Sequence, residues 1–272
     1  MASSTDRLVV RIQSDPAGVV DGPARPHPVV VIHVGPSVNV ACRRGERYHS
    51  GMAVHGDVDI IPAGTASRWE LRQRDTALIV GVPSGLLRVA AAGLNRDPAR
   101  AEVVNRFQLR DPQIEQIGWA LKTEMETEYR NGRLYLDSLG AALAAHLLEY
   151  YSPDVRGVRA IRGGLSGRRL KELISYIEDN LSRDLSLPEI AKVAGLSVSH
   201  CKAAFRASVG RPIHQYVLCR RVERAQALLR EGELSVRQVA LEAGFAHQSH
   251  LAYHMRRVVG VTPKEFRSGS VS

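Results

Sequence analysis

The stretch "SLPEIAKVAG", Ser186–Gly195, returns in altered form as "SVRQVALEAG", Ser235–Gly244, at a constant offset of 49 residues. In each copy a serine stands three residues before Glu189 or Gln238, which is the pattern of a capping box at the start of a helix. Each copy ends in a glycine, which tolerates the left-handed backbone that closes a helix. The repeat therefore predicts two short capped helices, each followed by a glycine turn.

A second helix is predicted directly after each glycine. In "SVSHCKAAFRASVG" Ser197 can cap it, and Cys201 and Phe205 lie on one stripe; in "HQSHLAYHMRRVVG" Leu251 and Met255 do so. A short helix, a turn and a second helix with one apolar stripe form a helix-turn-helix, which presents its second helix to the major groove of DNA. We therefore predict helix-turn-helix motifs over 187–209 and 236–259, within an all-α DNA-binding domain over 168–269.

The segment between the two motifs, "PIHQYVLCRRVERAQALLREG", predicts a linker helix that Gly232 can close. Its apolar residues follow helical spacing: Leu218, Val222, Ala225 and Leu229. A rigid helix would fix the separation of the motifs. Two helices that enter one face of a duplex must lie roughly 34 Å apart, which is one turn of DNA.

Charge is divided unevenly along the 272 residues. Residues 1–151 contain 17 Lys and Arg against 17 Asp and Glu, whereas residues 152–272 contain 20 against 11 and so hold the whole net charge of +9. A basic half is typical of a domain that binds a polyanion, although a solvated basic surface is the alternative. We expect double-stranded DNA to be the partner of this half.

No run of 18 apolar residues occurs, so we expect no membrane span. The opening "MASSTDRLVVRIQSDPAG" is not typical of a secretion signal. Three cysteines, Cys42, Cys201 and Cys219, lie far apart and form no CxxC pair, which is typical of reduced thiols. These patterns predict a cytoplasmic protein.

The first half is predicted to be rich in β-structure, because short apolar runs alternate with Gly, Pro and polar residues. These runs are Val29–Val34, Val38–Arg43, Asp57–Pro62 and Thr76–Pro83. The spacing is typical of a small barrel or sandwich. Two amphipathic helices follow, over 111–130 with Asp111 as cap and over 133–151. They can cover the barrel, pair with another subunit, or do both.

We therefore predict an α+β chain of two domains. An effector-binding and dimerisation domain, a β-barrel with two following helices, covers 1–151. A linker rich in Gly and Arg covers 152–167, and the all-α domain, with two helix-turn-helix motifs joined by a linker helix, covers 168–269.

Residues Leu170–Arg267 resemble the AraC/XylS family of bacterial transcription regulators. The most specific stretch is "VALEAGFAHQSHLAYHMRRVVGVTPKEFR". It is similar to the family's A-x-x-x-G-F, its Ser-aromatic helix and its G-x-x-P-x-x-[FY]-R, with matches at Ala240, Gly244, Phe245, Ser249, Gly260, Pro263, Phe266 and Arg267. Leu251 and Met255 replace two aromatic core positions of the family.

The family's pattern implies groove-facing side chains, which are Ser199, Lys202, Arg206, Gln248, Ser249, Tyr253 and Arg256. Gln248 can bond both edges of an adenine and Lys202 can donate to guanine. Three arginines lie late in their helices and are assigned mainly to phosphates: Arg206, Arg256 and Arg257. An exposed side chain that touches nothing is the alternative for any one of them.

The first domain resembles the effector-binding β-barrel of the same family, which is itself similar to cupins. In "HGDVDIIPAGTAS", Gly56, Pro62 and Gly64 fit a cupin turn. A metal-binding cupin would carry His where Ser67 stands, and the usual upstream H-x-H is missing, so we expect no metal, no cofactor and no enzyme. The resemblance implies a small organic effector. Two aromatic residues are candidates to line its pocket or, alternatively, to pack in the barrel: Tyr48 and Trp69.

The resulting prediction is a sequence-specific transcription regulator, an activator, that is controlled by an effector, forms a homodimer and contacts RNA polymerase. The alternative is an enzyme that carries the same DNA-binding domain. An alkylation-repair enzyme would need a cysteine-rich metal site, and the first 151 residues hold only Cys42. A metal-dependent cupin enzyme is the other form of this alternative.

Several histidines are candidates for separate sites. His247, His250 and His254 lie at helical spacings that could hold a metal, but a polar stripe facing DNA is favoured. His146, within an apolar stripe, is predicted to be a hydrogen-bonded core histidine.

Overall fold

The computed structural model of the chain describes residues 8–155 and 164–268. The chain divides into two compact units, Met1–Ile161 and Arg162–Ser272. The division falls within the predicted linker 152–167, of which residues 156–163 lie outside the described residues. The described part of the first unit combines strands and helices, and that of the second contains helices alone, which confirms the α+β class.

Nine strands in the described part of the first unit form two antiparallel sheets. They are β1 Val9–Asp15, β2 Gly18–Gly22, β3 Val29–His33, β4 Val38–Arg44, β5 Arg47–Ala53, β6 Val58–Ile61, β7 Ser67–Leu71, β8 Asp75–Gly81 and β9 Arg106–Leu109. One sheet has the order β1-β8-β3-β6-β9 and the other β2-β7-β4-β5. The four strands predicted from apolar runs are present as β3, β4, β6 and β8.

The predicted barrel is corrected to a sandwich, because the described strands form two separate sheets rather than one closed sheet. The chain passes from one sheet to the other at Pro16, Pro36 and Pro62. Proline has no N–H to donate to a strand ladder, so each of these residues ends the pairing and lets the chain leave its sheet.

The five-stranded sheet is covered on one face by helices. Val30, Ile32, Leu78 and Val80 of its central strands join the buried core formed with the helices of this unit. The alternate residues, such as Val31 and Ile79, point to the other face, where they line a cavity between the sheets. Burial on both faces explains why β3 is a continuous apolar run.

Three helices complete the first unit: α1 Ser84–Gly93, α2 Pro112–Glu126 and α3 Gly132–Tyr151. The predicted helix over 111–130 ends four residues early. Glu128 and Tyr129 have positive φ values of 54° and 62°, which a helix cannot contain. The carboxylate of Glu124 accepts hydrogen bonds from the backbone and side chain of Asn131, so it holds the turn against the end of α2.

Asp111 is the cap of α2, as predicted, and its Oδ1 accepts from the N–H groups of Gln113 and Ile114 at 2.9 and 3.0 Å. Its Oδ2 lies 2.7 Å from Nε2 of His146 and accepts from the hydroxyl of Tyr151 at 2.6 Å. The prediction of a hydrogen-bonded core histidine at 146 is therefore confirmed. One buried carboxylate joins the start of α2 to the end of α3.

The second unit contains α4 Gly167–Asp179, α5 Leu187–Val193, α6 Val198–Val209, α7 Ile213–Glu231, α8 Val236–Glu242, α9 Gln248–Val259 and α10 Pro263–Ser268. The pairs α5–α6 and α8–α9 match the predicted motif bounds 187–209 and 236–259. The linker helix α7 ends before Gly232, as expected. No helix within the described ranges has both the length and the apolar character needed to cross a membrane.

The linker helix packs against both motifs. The ring of Tyr216 on α7 meets that of Phe205 on α6 edge to face, with 5.4 Å between centroids. Further along, α7 contributes to the core of the second motif, a buried cluster that includes Val222, Ala225, Leu229, Val239, Leu251 and Met255. Helix α7 thus packs against both motifs and connects their cores.

Candidate nucleic-acid interface

The first motif is started by Ser186, whose Oγ accepts from the N–H of Glu189 at 3.3 Å. The predicted second half of this capping box is wrong. The Glu189 carboxylate instead accepts from the hydroxyl of Tyr176 at 2.6 Å and from Arg183 at 2.8 Å. These two donors lie on α4 and just after it, and Arg183 carries a charge, so they take the carboxylate away from the cap and tie α5 to α4.

The second motif has the full capping box. The Oγ of Ser235 accepts from the N–H of Gln238 at 3.3 Å, and Oε1 of Gln238 accepts from the N–H of Ser235 at 3.0 Å. The next positions inward, Val239 and Ala240, are fully buried. The start of α8 is therefore set by residues within the repeat itself.

The two turn glycines have left-handed backbone, with φ 63° at Gly195 and 88° at Gly244. They differ in their surroundings. A Cβ on Gly195 would meet nothing within 4 Å, whereas a Cβ on Gly244 would lie 2.0 Å from the carbonyl oxygen of Leu181. The second turn therefore needs glycine both for its conformation and for the close approach of another backbone segment.

Helix α6 presents a polar face opposite its buried one. Ser197 caps it, as predicted, by accepting from the N–H of His200 at 3.4 Å. Cys201 and Phe205 are buried. The predicted groove-facing residues of this helix, Ser199, Lys202 and Arg206, are all exposed.

Helix α9 brings its predicted residues together. Leu251, Met255 and Val259 are buried against α7 and α8. The opposite face forms a shallow open groove with the start of α10, and the five predicted residues of this helix all line it: Gln248, Ser249, Tyr253, Arg256 and Arg257. All five are exposed. The groove thus combines amide, hydroxyl and cationic donors on one helix face.

Two details of this groove are not evident from the sequence pattern. Arg257 donates to the hydroxyl of Tyr253 at 3.3 Å, so the two side chains are positioned together. Lys264, in the first turn of α10, adds a third cation beside Arg256 and Arg257. Its position directly after Pro263, a residue of the recognised motif, is the signal that could have identified it.

The histidines of α9 do not form the predicted polar stripe. His247 caps the helix, with its Nδ1 accepting from the N–H of His250 at 3.2 Å. His250 and His254 are half-buried against Phe245, with ring centroids 5.4 and 6.0 Å from its ring. Burial, with the nearby His250 and Arg257, lowers the pKa of His254. Among the described residues, no group of three or more His, Cys, Asp or Glu is placed to hold a metal ion.

The first unit holds a cavity of about 130 Å³ between its two sheets. Trp69 lines this cavity, as does Ser67, which accepts from the indole N–H at 3.1 Å. Tyr48 does not join them: it is exposed and lines a different surface groove on β4, β5 and β7. The structure thus places only one of the two predicted aromatic residues at the cavity. It also places two arginines there that the sequence analysis does not predict, Arg11 and Arg25.

Comparisons with known proteins agree with this geometry. A helix-turn-helix domain family matches residues 190–269. The chain is 33% identical over 98 residues to the "HTH-type transcriptional activator AarP" of Providencia stuartii, covering 36% of this chain and 73% of that protein. The chain belongs to the AraC/XylS family.

Two further relatives extend the comparison of this AraC/XylS-family chain. It is 36% identical over 93 residues to the "Probable transcriptional regulator LumQ" of Photobacterium leiognathi, covering 34% of this chain and 38% of that protein. It is 25% identical over 162 residues to a "Putative AraC-like transcription regulator" of Streptomyces antibioticus, covering 57% of this chain and 53% of that protein. The chain thus spans about half or less of these two relatives.

Proposed function

We propose that this chain is a sequence-specific DNA-binding transcriptional regulator rather than an enzyme. Its second unit binds double-stranded DNA through α6 and α9, and its first unit binds a small-molecule effector. The observation that carries the proposal is the exposed face of α9, where five side chains able to contact bases or phosphates line one groove. The relatives described above are all named as transcriptional regulators or activators.

In this proposal the two motifs contact DNA in different ways. Gln248, Ser249 and Tyr253, in the first half of α9, lie where a recognition helix meets base edges. Arg256 and Arg257 in its last turn bind phosphates, as Arg206 does in α6. Lys202 and Ser199 contact the second half-site. The excess positive charge of residues 152–272 supplies the sequence-independent attraction.

The effector role of the first unit is supported by the cavity between its sheets. Apolar residues from both sheets form part of its lining, and polar and charged side chains that can orient a ligand form the rest. An effector regulates DNA binding only if it binds one arrangement of the protein better than another.

Dimer formation and activation belong to the same proposal. Val89 of α1 and Leu134 and Tyr135 of α3 are exposed apolar side chains of the first unit, and contact with a second copy would remove them from water. Activation, with contact to RNA polymerase, is favoured by the name of AarP, a transcriptional activator. Sedimentation of the wild-type chain and of Leu134→Glu tests the dimer.

The test of the main function is a selection of bound duplexes from a random DNA library by the full chain. We expect enrichment of one sequence with two half-sites about one helical turn apart, 10–10.5 base pairs. The variant that combines Gln248→Ala, Ser249→Ala and Tyr253→Ala should no longer enrich one of the half-sites. Arg168→Ala, an exposed substitution on α4, is the matched control and should select the wild-type sequence.

The proposal is overturned if the full chain binds no duplex even at low salt, where phosphate contacts are strongest. It is also overturned if the triple variant, folded by circular dichroism, selects the same sequence as the wild type.

A further inference from the structure

We propose that the cavity between the two sheets binds a small organic anion with an apolar body, whose negative group is held at the cavity end formed by Arg11, Arg25 and His27. The inference rests on the proposed effector role of the first unit and assigns the chemical class of that effector.

Acidic and basic residues of the cavity lie at different positions along the β1–β8 ladder. At one end Asp15 pairs with Asp75, and four residues along the strand Arg11 pairs with Ile79. Strands rise about 3.3 Å per residue, so these acidic and basic positions lie roughly 13 Å apart. Val9 pairs with Gly81 one step beyond Arg11 on the same face. The cavity therefore has a distinct basic end at the Gly81 side.

The imidazole of His27 is located at this basic end. A Cβ added to Gly81 would lie 2.6 Å from its Nε2, so the ring packs directly over the glycine. Burial first, and the charge of Arg25 second, lower the pKa of His27. A ring kept neutral can donate one hydrogen bond to an anion without adding charge.

Each acidic side chain of the cavity lies within 3.2 Å of a polar or basic side chain. Asp15 accepts from the amide of Gln13 at 2.8 Å. Asp21 pairs with Arg68 at 3.2 Å. Asp75 lies 2.7 Å from the Nδ1 atom of His33. A cationic ligand would have to compete with these groups for the carboxylates.

The two arginines of the cavity have no such partners among the described residues. Within the described ranges, neither Arg11 nor Arg25 makes a side-chain hydrogen bond or ion pair, although Arg25 is half-buried. A guanidinium presents paired N–H donors in a fork that matches a carboxylate. The guanidinium donors of these two arginines are therefore available to a ligand, and they are complementary to an anion.

The remaining lining of the cavity favours a ligand whose body is apolar and small. Its apolar side chains come from both sheets and are Val20, Val29, Val31, Ile61, Leu71, Ala77 and Ile79. The indole N–H of Trp69 is satisfied by Ser67, and the guanidinium of Arg44 lies 5.0 Å from its ring, so the indole is a fixed wall. A space of about 130 Å³ is small beside the 300–1,000 Å³ of drug-sized pockets.

The test uses three probes of one shape and different charge: cyclohexanecarboxylate, cyclohexanecarboxamide and cyclohexylmethylamine. Calorimetric titration of the full chain should give saturable binding of the carboxylate. The amide and the amine should bind at least about tenfold more weakly, since they lose a charge-assisted contact. Arg25→Gln and Arg11→Gln should each raise the Kd of the carboxylate about tenfold or more.

Arg72→Gln is the matched control, because Arg72 is exposed on the outer face of the second sheet and lines another groove. It removes the same charge from the same unit and should leave the Kd unchanged. Circular dichroism of each variant verifies that the chain is folded.

The inference is overturned if no carboxylate binding is detected, if the amide or amine binds as tightly as the carboxylate, or if both arginine variants keep the wild-type Kd. These results are distinguishable from a failure of the proposed function, which the duplex selection measures separately. If the carboxylate binds as expected but no duplex is selected, the anion site stands and the regulator does not. If duplexes are selected but the carboxylate does not bind, the regulator stands and the anion site does not.

Discussion

Arg220 of α7 and Glu178 of α4 form a buried bidentate ion pair, in which Nε donates to Oε1 at 2.7 Å and Nη2 donates to Oε2 at 2.9 Å. The hydroxyl of Tyr216 donates to the same Oε1 at 3.2 Å. Burial alone would lower the pKa of Arg220, but the charges of Glu178 and Glu223 raise it above its usual value, so the group stays charged. Each charge therefore depends on the other to remain in the core.

Removing one partner of this pair should destabilise the second unit strongly. Arg220→Met leaves the buried charge of Glu178 without its cation, which costs about 3–5 kcal/mol. Glu178→Ala leaves Arg220 with Glu223 as its remaining carboxylate partner and should cost less. The double variant Glu178→Met/Arg220→Met removes both charges of the buried pair and should cost less than Arg220→Met alone. Urea denaturation of the full chain measures these differences.

The control for this series is Arg168→Ala, since Arg168 pairs with Glu172 on the exposed surface of α4. Solvent screens that pair, so we expect no measurable change in the free energy of unfolding. A double variant that costs as much as both single variants together would show that the buried pair is not coupled.

The two turn glycines should respond differently to one added methyl group. Gly195→Ala places a Cβ in open space and meets only the cost of left-handed backbone, about 1–2 kcal/mol. Gly244→Ala meets the same cost and also a clash with the carbonyl oxygen of Leu181, 2.0 Å away. In thermal unfolding, Gly244→Ala should have a clearly lower midpoint temperature than Gly195→Ala. Equal midpoints would mean that the segment at Leu181 moves aside freely.

The buried carboxylate of Asp111 should make the first unit sensitive to acid. Burial alone would raise its pKa, but the hydrogen bonds from His146 and Tyr151 outweigh burial and hold it below its usual value of 3.8. A group whose pKa is lowered in the folded state contributes stability that is complete above the unfolded value and is lost as pH falls through the folded value. The free energy of unfolding should therefore decrease as the pH is lowered below 3.8.

The variant Asp111→Asn tests this dependence, because asparagine still caps a helix but carries no charge. We expect a loss of about 1–3 kcal/mol at neutral pH and a shallower decline in acid. Denaturation at a series of pH values gives both quantities. Asp137→Asn, an exposed change on α3, should keep the wild-type acid profile; an acid profile of Asp111→Asn that also equals the wild type would contradict the prediction.

Two substitutions on α9 should weaken DNA binding in different ways. Gln248→Ala should cost roughly 1–3 kcal/mol at one base pair and relax the preference there. Arg257→Ala should weaken all sequences alike and reduce the salt slope by about 1, because a phosphate contact is lost. Titrations with the selected duplex and its point variants at several salt concentrations measure both. An equal loss and an unchanged slope for the two variants would contradict these assignments.

Much of the second unit could be predicted from the sequence because its signals are local. Ser197, Ser235 and Gly232 start or end helices through contacts within a few residues, and the observed bounds agree with the predicted ones. The partner of Glu189 could not be predicted in this way. Tyr176 and Arg183 reach it from the preceding helix and loop, and this contact replaces the local one.

The first unit was predicted less completely because its pattern depends on pairing across the chain. Strand β1 carries Arg11, Gln13 and Asp15 on its cavity face, so polar residues interrupt its apolar ones and its signal is weak. The cavity combines this strand with Arg25 and Trp69, which are far apart in sequence. Only the register of the two sheets brings these residues together and leaves Tyr48 outside.

The shared position of α7 between the two motifs limits the DNA that such a protein can read. A helix of 19 residues is about 28 Å long and offers no hinge between the elements packed along it. An operator with a few base pairs inserted between its half-sites would rotate one of them away from its motif, and the protein could not follow. Tolerance to variable spacing would then have to come from bending of the duplex, so the flexibility of the intervening DNA would contribute to target choice.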